Sequence, residues 1–142
     1  MRRIVSGHFE LDLPAEKAIG FFTPEGERDW APGWNPTYPA GEPSETTGTV
    51  FITDVGGVET VWLIQTLDNA GCTVAYSRVT PGRHAGTVRV SCDDATSGVC
   101  VVSVTYDMSL LPGSDPNGLD PYDDHSFEAM MIHWSEAIGH NL

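Results

Sequence analysis

Residues 123–142, DDHSFEAMMIHWSEAIGHNL, read as an amphipathic helix with an unusually bulky face. At about 3.6 residues per turn, Phe127, Met130, Met131, Trp134 and Ile138 fall on one stripe, while Glu128, His133, Glu136 and His140 point elsewhere. Asp123 and Asp124 place a cap and negative charge at the positive end of the helix dipole, and His140 sits in the last turn. Two adjacent Met beside Trp and Phe are flexible, polarizable fillers, suited to a helix that lies over an adaptable cavity.

Such a face needs a sheet, and the chain ahead of it supplies one. From Gly48 to Leu110 the sequence reads as successive antiparallel strands: Thr49 to Asp54, Val58 to Leu67, Cys72 to Val79, His84 to Cys92 and Val99 to Leu110. The connectors Gly56-Gly57, Asp68 to Gly71, Thr80 to Arg83 and Asp93 to Gly98 are too short for parallel crossovers. Upstream, Arg3 to Leu13 alternates, with Val5, Phe9, Leu11 and Leu13 on one side and His8, Glu10 and Asp12 on the other. Pro14 then opens a short helix through Phe22, and Thr23-Pro24-Glu25 starts a second that runs to Trp30. Ala31 to Thr47 is a long Pro- and Gly-rich loop carrying Trp34 and Tyr38, of a length more often functional than idle. Leu111 to Tyr122 is a second loop, placed to act as a lid just before the last helix.

Sorting the strand residues by face collects Phe51, Trp62, Ile64, Ala75, Val88, Val90, Val102, Val104 and Tyr106 on an inner side. Glu59, Gln65, Arg78, Thr87, Arg89, Ser91, Ser103 and Thr105 fall outside. Val50, Ile52, Val61, Leu63, Val74 and Tyr76 also fall outside, which is anomalous for apolar residues. Either a bulge slips the register and flips a strand, or the outer face is covered by self-association as a homodimer.

Composition narrows the partners. The 142 residues hold 7 basic and 20 acidic side chains, a net charge of −13, which repels phosphate backbones and anionic lipid heads. No nucleic-acid or membrane partner is therefore expected. The N-terminal residues lack the apolar core of a signal peptide, and no apolar run is long enough to span a bilayer, so the expected location is cytoplasmic. Cys72, Cys92 and Cys100 are an odd count without metal-ligand spacing and read as small hydrophobes kept as thiols. The five His residues are scattered, so neither a metal site nor a cofactor is expected. No internal repeat or second domain is evident, and residues 1–142 are expected to form a single ligand-binding domain.

The order of strand, two small helices, antiparallel meander and long C-terminal helix resembles the START-like, or SRPBCC, helix-grip superfamily, which includes polyketide cyclase/dehydrase proteins. The resemblance spans essentially the whole chain. It is carried by Phe9 to Leu13 running into Pro14-Ala15-Glu16-Lys17, by Phe22-Thr23-Pro24-Glu25-Gly26-Glu27 with Trp30, and by His133-Trp134 with Ala137, Ile138 and Leu142. It implies an α+β fold: a curved antiparallel β-sheet wrapped around the long helix, two short helices after the first strand, and a cavity between sheet and helix. Trp30, Trp34, Phe51, Trp62, Tyr106, Phe127, Met130, Met131 and Trp134 are the expected ligand-binding residues. The implied ligand is a small hydrophobic molecule, aromatic, isoprenoid or acyl.

Catalysis is less legible. Among Arg78, Glu59, His84, His133, Asp107 and Tyr106, face sorting sends Arg78 and Glu59 outward and leaves Tyr106 as the inward hydroxyl. No nucleophile–base–orienter set is visible, and there is no phosphate-binding glycine loop or dinucleotide fingerprint. The expected function is binding of the hydrophobic molecule. The alternatives are a cyclase or dehydrase acting on it, and an interaction module that uses the outer strand face.

Overall fold

A computed structural model describes residues 1–142. Six strands form one antiparallel sheet: β1 (Arg2–Leu11), β2 (Val50–Val55), β3 (Val58–Asp68), β4 (Thr73–Thr80), β5 (His84–Thr96) and β6 (Val99–Leu110). Their spatial order is β1-β6-β5-β4-β3-β2, so the first strand returns to pair with the last and the other neighbours are hairpins. After β1 come α1 (Ala15–Ala18) and two single turns of 3-10 helix, Ile19–Phe22 and Gly26–Asp29, in place of the two short helices expected. A third 3-10 turn, Asp120–Tyr122, precedes the long helix α2 (Asp124–Gly139). The curved sheet gripping one long helix is the architecture the sequence implied.

The start of α2 is set by Asp123, whose carboxylate accepts the Ser126 amide at 2.7 Å. Phe127, Met131 and Ile138 are buried, and each such side chain removed from water contributes about 1.5–3 kcal/mol. Gly7 makes the close approach of α2 to β1 possible, because a Cβ there would stand 2.8 Å from Met131 Cγ and 3.1 Å from Phe127. The helix therefore uses one part of its apolar stripe on β1. Met130 and Trp134, on the other part, are only half-buried and overhang the middle of the sheet.

Register explains two of the anomalous apolar residues, Val74 and Tyr76. Trp62 pairs with Arg78 and Ile64 with Tyr76, but the next pair is Thr66 with Ala75, so Gln65 is the extra residue of a β-bulge. Along β4 and β5, Val74 pairs with Val90, Tyr76 with Val88, and Thr80 with His84. Partners share a face, so Val74, Tyr76, Arg78 and Thr80 all point inward. The sorting by alternation is thus corrected at Val74, Tyr76 and Arg78, which turn in, and at Ala75, which turns out. Glu59 does face outward and is exposed. Val50, Leu63 and Val79 remain exposed on the outer face, the surface on which the homodimer expectation rests.

Two further boundaries shift. β5 runs to Thr96 through an irregularity between Asp94 and Thr96, and this absorbs most of the loop expected at Asp93 to Gly98. The lid segment is anchored at its far end, where Leu119 and Tyr122 are buried and Arg3 donates to the Leu119 carbonyl at 2.8 Å. Cys92 and Cys100 are buried free thiols and Cys72 is a half-buried one. No helix is long and apolar enough to cross a membrane.

Candidate functional site

Between α2, the inner face of β3 to β6 and the segment after the second 3-10 turn lies a cavity of about 440 Å³. All four tryptophans of the chain line it: Trp30 and Trp34 from the segment, Trp62 from β3 and Trp134 from α2. They meet in edge-to-face pairs, Trp30 with Trp134 and Trp34 with Trp62, each at 5.5 Å between ring centroids. Three indole N–H groups are already bonded inside the protein. Trp30 donates to the Phe21 carbonyl at 2.7 Å, Trp34 to the Pro24 carbonyl at 2.8 Å and Trp62 to Thr53 Oγ1 at 2.9 Å. Those rings consequently offer faces and edges to the cavity rather than donors.

The loop that carries Trp34 is pinned by a polar cluster. Tyr38 donates to Glu25 at 2.6 Å, and Arg28 reaches Glu25 at 3.0 Å, Asn35 at 2.7 Å and the Pro36 carbonyl at 2.8 Å. The second 3-10 turn is fixed beneath it, with the Gly26 amide donating to Thr23 Oγ1 and a Cβ at Gly26 excluded because it would stand 1.7 Å from the Gly20 carbonyl oxygen. This tight packing directs the next side chain, Glu27, into the cavity.

Glu27 joins a set of polar groups: Arg78, Thr80 and Thr60 from the neighbouring strands β4 and β3, His84 from β5 and Tyr106 from β6. The Arg78 guanidinium lies 4.5 Å above the Trp62 ring, and its Nη2 is 3.4 Å from Thr80 Oγ1, which is in turn 2.8 Å from Thr60 Oγ1. His84 packs edge-on to Tyr122 at 5.7 Å, and Tyr122 stacks on Tyr106 at 5.3 Å. His133 and Arg83 complete the rim.

Burial sets the protonation of these groups. It pushes the Glu27 carboxyl well above the usual carboxylate range, with the Arg78 charge pulling the other way. The residue is half-buried by surface, yet what stays accessible faces the cavity rather than bulk water. Burial also lowers the His84 imidazole, helped by Arg78 and then Arg83, and raises the Tyr106 phenol against an opposing Arg78. The site thus brings a carboxyl biased toward its protonated form, an imidazole biased toward its neutral form, a phenol and the Arg78 guanidinium to a space walled by tryptophan.

Of the nine residues expected to contact a ligand, Trp30, Trp34, Trp62, Tyr106, Met130 and Trp134 line this cavity. Phe51 stands behind the wall, fully buried and stacked on Trp62 at 5.6 Å. Phe127 and Met131 face β1 and border a separate groove with Gly7. Glu27, Thr53, Thr60 and Thr80 were not singled out from the sequence, and Arg78 was assigned to the wrong face because the bulge at Gln65 is silent in the alternation.

No family model and no curated sequence matches this chain. Its fold is nevertheless shared with solved structures across nearly its whole length. Norcoclaurine synthase from Thalictrum flavum superposes with a TM-score of 0.69 at 13% identity, covering 97% of this chain and 87% of that one. A START superfamily protein from Mycobacterium smegmatis gives 0.67 at 15% identity, covering 97% and 95%. The di-domain ARO/CYC BexL from the BE-7585A biosynthetic pathway gives 0.71 at 13% identity, with 96% of this chain matched to 46% of that larger one. The protein therefore has the START-like helix-grip fold, in which the cavity lies between the sheet and the long helix.

Proposed function

We propose that this chain binds a small hydrophobic, ring-bearing molecule in the cavity between α2 and the sheet, with Trp30, Trp34, Trp62, Tyr106, Met130 and Trp134 as its contacts. The observation that carries the reading is that every tryptophan of the chain lines one cavity, and that the three indole N–H groups described are bonded inside the protein. Apolar walls with a few convergent polar groups are the usual anatomy of a small-molecule site. A ligand of about twelve non-hydrogen atoms at roughly 0.6 kcal/mol each would bind with about 7 kcal/mol, or a Kd on the order of 10 µM. The size and the flat walls favour an aromatic bicycle over an extended acyl chain. Native mass spectrometry of the purified protein, followed by denaturation and identification of what is released, tests this. A stoichiometric ring compound supports it. An empty protein that bicyclic aromatic ligands fail to stabilise in thermal-shift assays contradicts it.

Glu27 favours a second reading, an enzyme that acts on the bound molecule. A carboxyl that burial biases toward its protonated form, in one cavity with Arg78, His84 and Tyr106, has the make-up of a general-acid site. Two of the similar folds belong to proteins named as a synthase and as an ARO/CYC. The chemistry that suits the site is an intramolecular aldol closure. His84 takes an α-proton of the bound molecule, the enolate carbon attacks a ketone of the same molecule and Glu27 gives its proton to the new alkoxide. The Glu27 carboxylate then takes a second α-proton while the His84 imidazolium protonates the departing hydroxyl, which leaves as water and forms the ring alkene with both residues restored. Cyclisation of an open-chain diketone such as 1-phenylhexane-1,5-dione by the parent protein but not by Glu27→Gln supports this reading, and equal conversion by both contradicts the role of Glu27.

A further inference from the structure

Positive charge is scarce in this chain, with 7 basic residues against 20 acidic ones. Only Arg2 and Arg28 form ion pairs, while Lys17 and Arg89 are exposed to bulk water. Arg78 is different, being half-buried in the cavity without a carboxylate partner. Two buried side-chain polar atoms in the whole protein lack a hydrogen-bond partner, Arg78 Nε and His84 Nδ1, and both residues line this cavity. His84 is more than nine-tenths buried. Buried polar atoms left unpaired are destabilising, and two on adjacent strands call for an explanation.

Their geometry supplies one. Arg78 pairs across the sheet with Gly86 and Thr80 with His84, so Arg78 and His84 are diagonal neighbours on the inner face. Gly86 puts no side chain between them. On Arg78, Nε is buried without a partner, Nη2 has a 3.4 Å contact to Thr80 and the guanidinium lies close to the Tyr106 phenol, so no carboxylate fills its side-on fork. Glu27 does not fill that role, since no ion pair joins it to Arg78 and burial favours its protonated form.

Resting on the reading of this cavity as the binding site, we propose that its ligand is a ring-bearing carboxylate, seated on the Arg78 guanidinium beside His84 with its ring among the tryptophans, a small turn of the two side chains bringing Arg78 Nε and His84 Nδ1 to its oxygens. Arg83 at the rim draws the anion in, and the acidic remainder of the surface leaves this cavity as the place where such a ligand is welcome.

Isothermal titration of the full chain with 2-naphthoate and with 2-naphthamide, which has the same shape and no charge, decides the matter. The expected result is naphthoate at least tenfold tighter than the amide, a ratio that collapses to about twofold or less in Arg78→Gln while amide affinity stays the same. Arg78→Lys, which keeps the charge and loses the fork, should recover only part of the ratio. Equal binding of the two probes to the parent protein overturns the carboxylate inference and leaves the cavity as a binding site. Binding of neither probe overturns both. A naphthoate preference that survives in Arg78→Gln overturns the seat assigned to Arg78. Should Arg78→Gln fail to fold, the parent ratio and its loss in His84→Gln still decide.

Discussion

Replacing Trp134 by alanine separates a cavity wall from a solid core. In sealed cores, Trp→Ala costs about 3–5 kcal/mol, because a void is left that the surroundings do not refill. Trp134 touches Trp30, Phe22 and Tyr106 at centroid distances of 5.5, 6.2 and 6.5 Å, but it is only half-buried and one side borders a space of about 440 Å³ that is already there. About two-thirds of a tryptophan's area, roughly 130 Å² at 25 cal/mol per Å², is worth about 3 kcal/mol, less what the remaining Cβ keeps buried, and no void term is added because the space is already there. The expected loss is therefore about 2–3 kcal/mol, with a fall of tenfold or more in naphthoate affinity. Phe51→Ala is the counterpart. Phe51 is fully buried, with Trp34, Tyr38, Trp62 and Tyr76 all within 6.2 Å, so it should lose the full 3–5 kcal/mol. Urea unfolding followed by far-ultraviolet circular dichroism gives the stabilities, and calorimetric titration the affinities. A Trp134→Ala protein that loses the full core value and binds as well as the parent would refute the reasoning, because its ring would then be packing and not wall.

Three further outcomes follow from single contacts. Gly7→Val drives a side chain into Met131 and Phe127 and should cost about 1–3 kcal/mol by urea unfolding, and an unchanged midpoint would deny the close helix–strand approach. The Glu27 carboxyl binds its proton more tightly folded than unfolded, so stability falls as pH rises from about 4.3 toward its raised folded value, by up to about 1.4 kcal/mol per pH unit. Glu27→Gln should gain on the parent over that window, and a difference that does not vary with pH would contradict its burial. Asp123→Ala should lower the unfolding midpoint at neutral pH, and the deficit should vanish as pH falls through the carboxyl's lowered folded value; a deficit that persists in acid would show that the Ser126 cap is not its cause.

The fold was legible because its signals are periodic. The α2 stripe, the turn chemistry between strands and the Pro14 and Thr23-Pro24 starts each follow from local rules, and they agree with one another. The site was half legible for the same reason. Tryptophans are conspicuous, but parity says only that a side chain points inward, not how deep it lies, so Phe51 was placed in the wall when it stands behind it. The α2 stripe is wide enough to serve two neighbours, and spacing alone does not show that Phe127 and Met131 go to β1 while Met130 and Trp134 go to the cavity. Arg78 was hidden by one inserted residue, because a bulge reverses parity without a glycine or proline to mark it. Glu27 was hidden by a 3-10 turn too short to have a face, although Gly26 ahead of it marked a close backbone approach.

The central claim is that the space between α2 and the sheet receives a small aromatic molecule. Because every tryptophan of the chain lines that space, tryptophan emission, corrected for the probes' own absorbance and emission, reports on its occupancy. Titrating the emission with 2-naphthamide and 2-naphthoate should give a saturable change at one ligand per chain with at least one of the two. Emission that stays flat, or drifts without saturating up to millimolar ligand, would contradict the account.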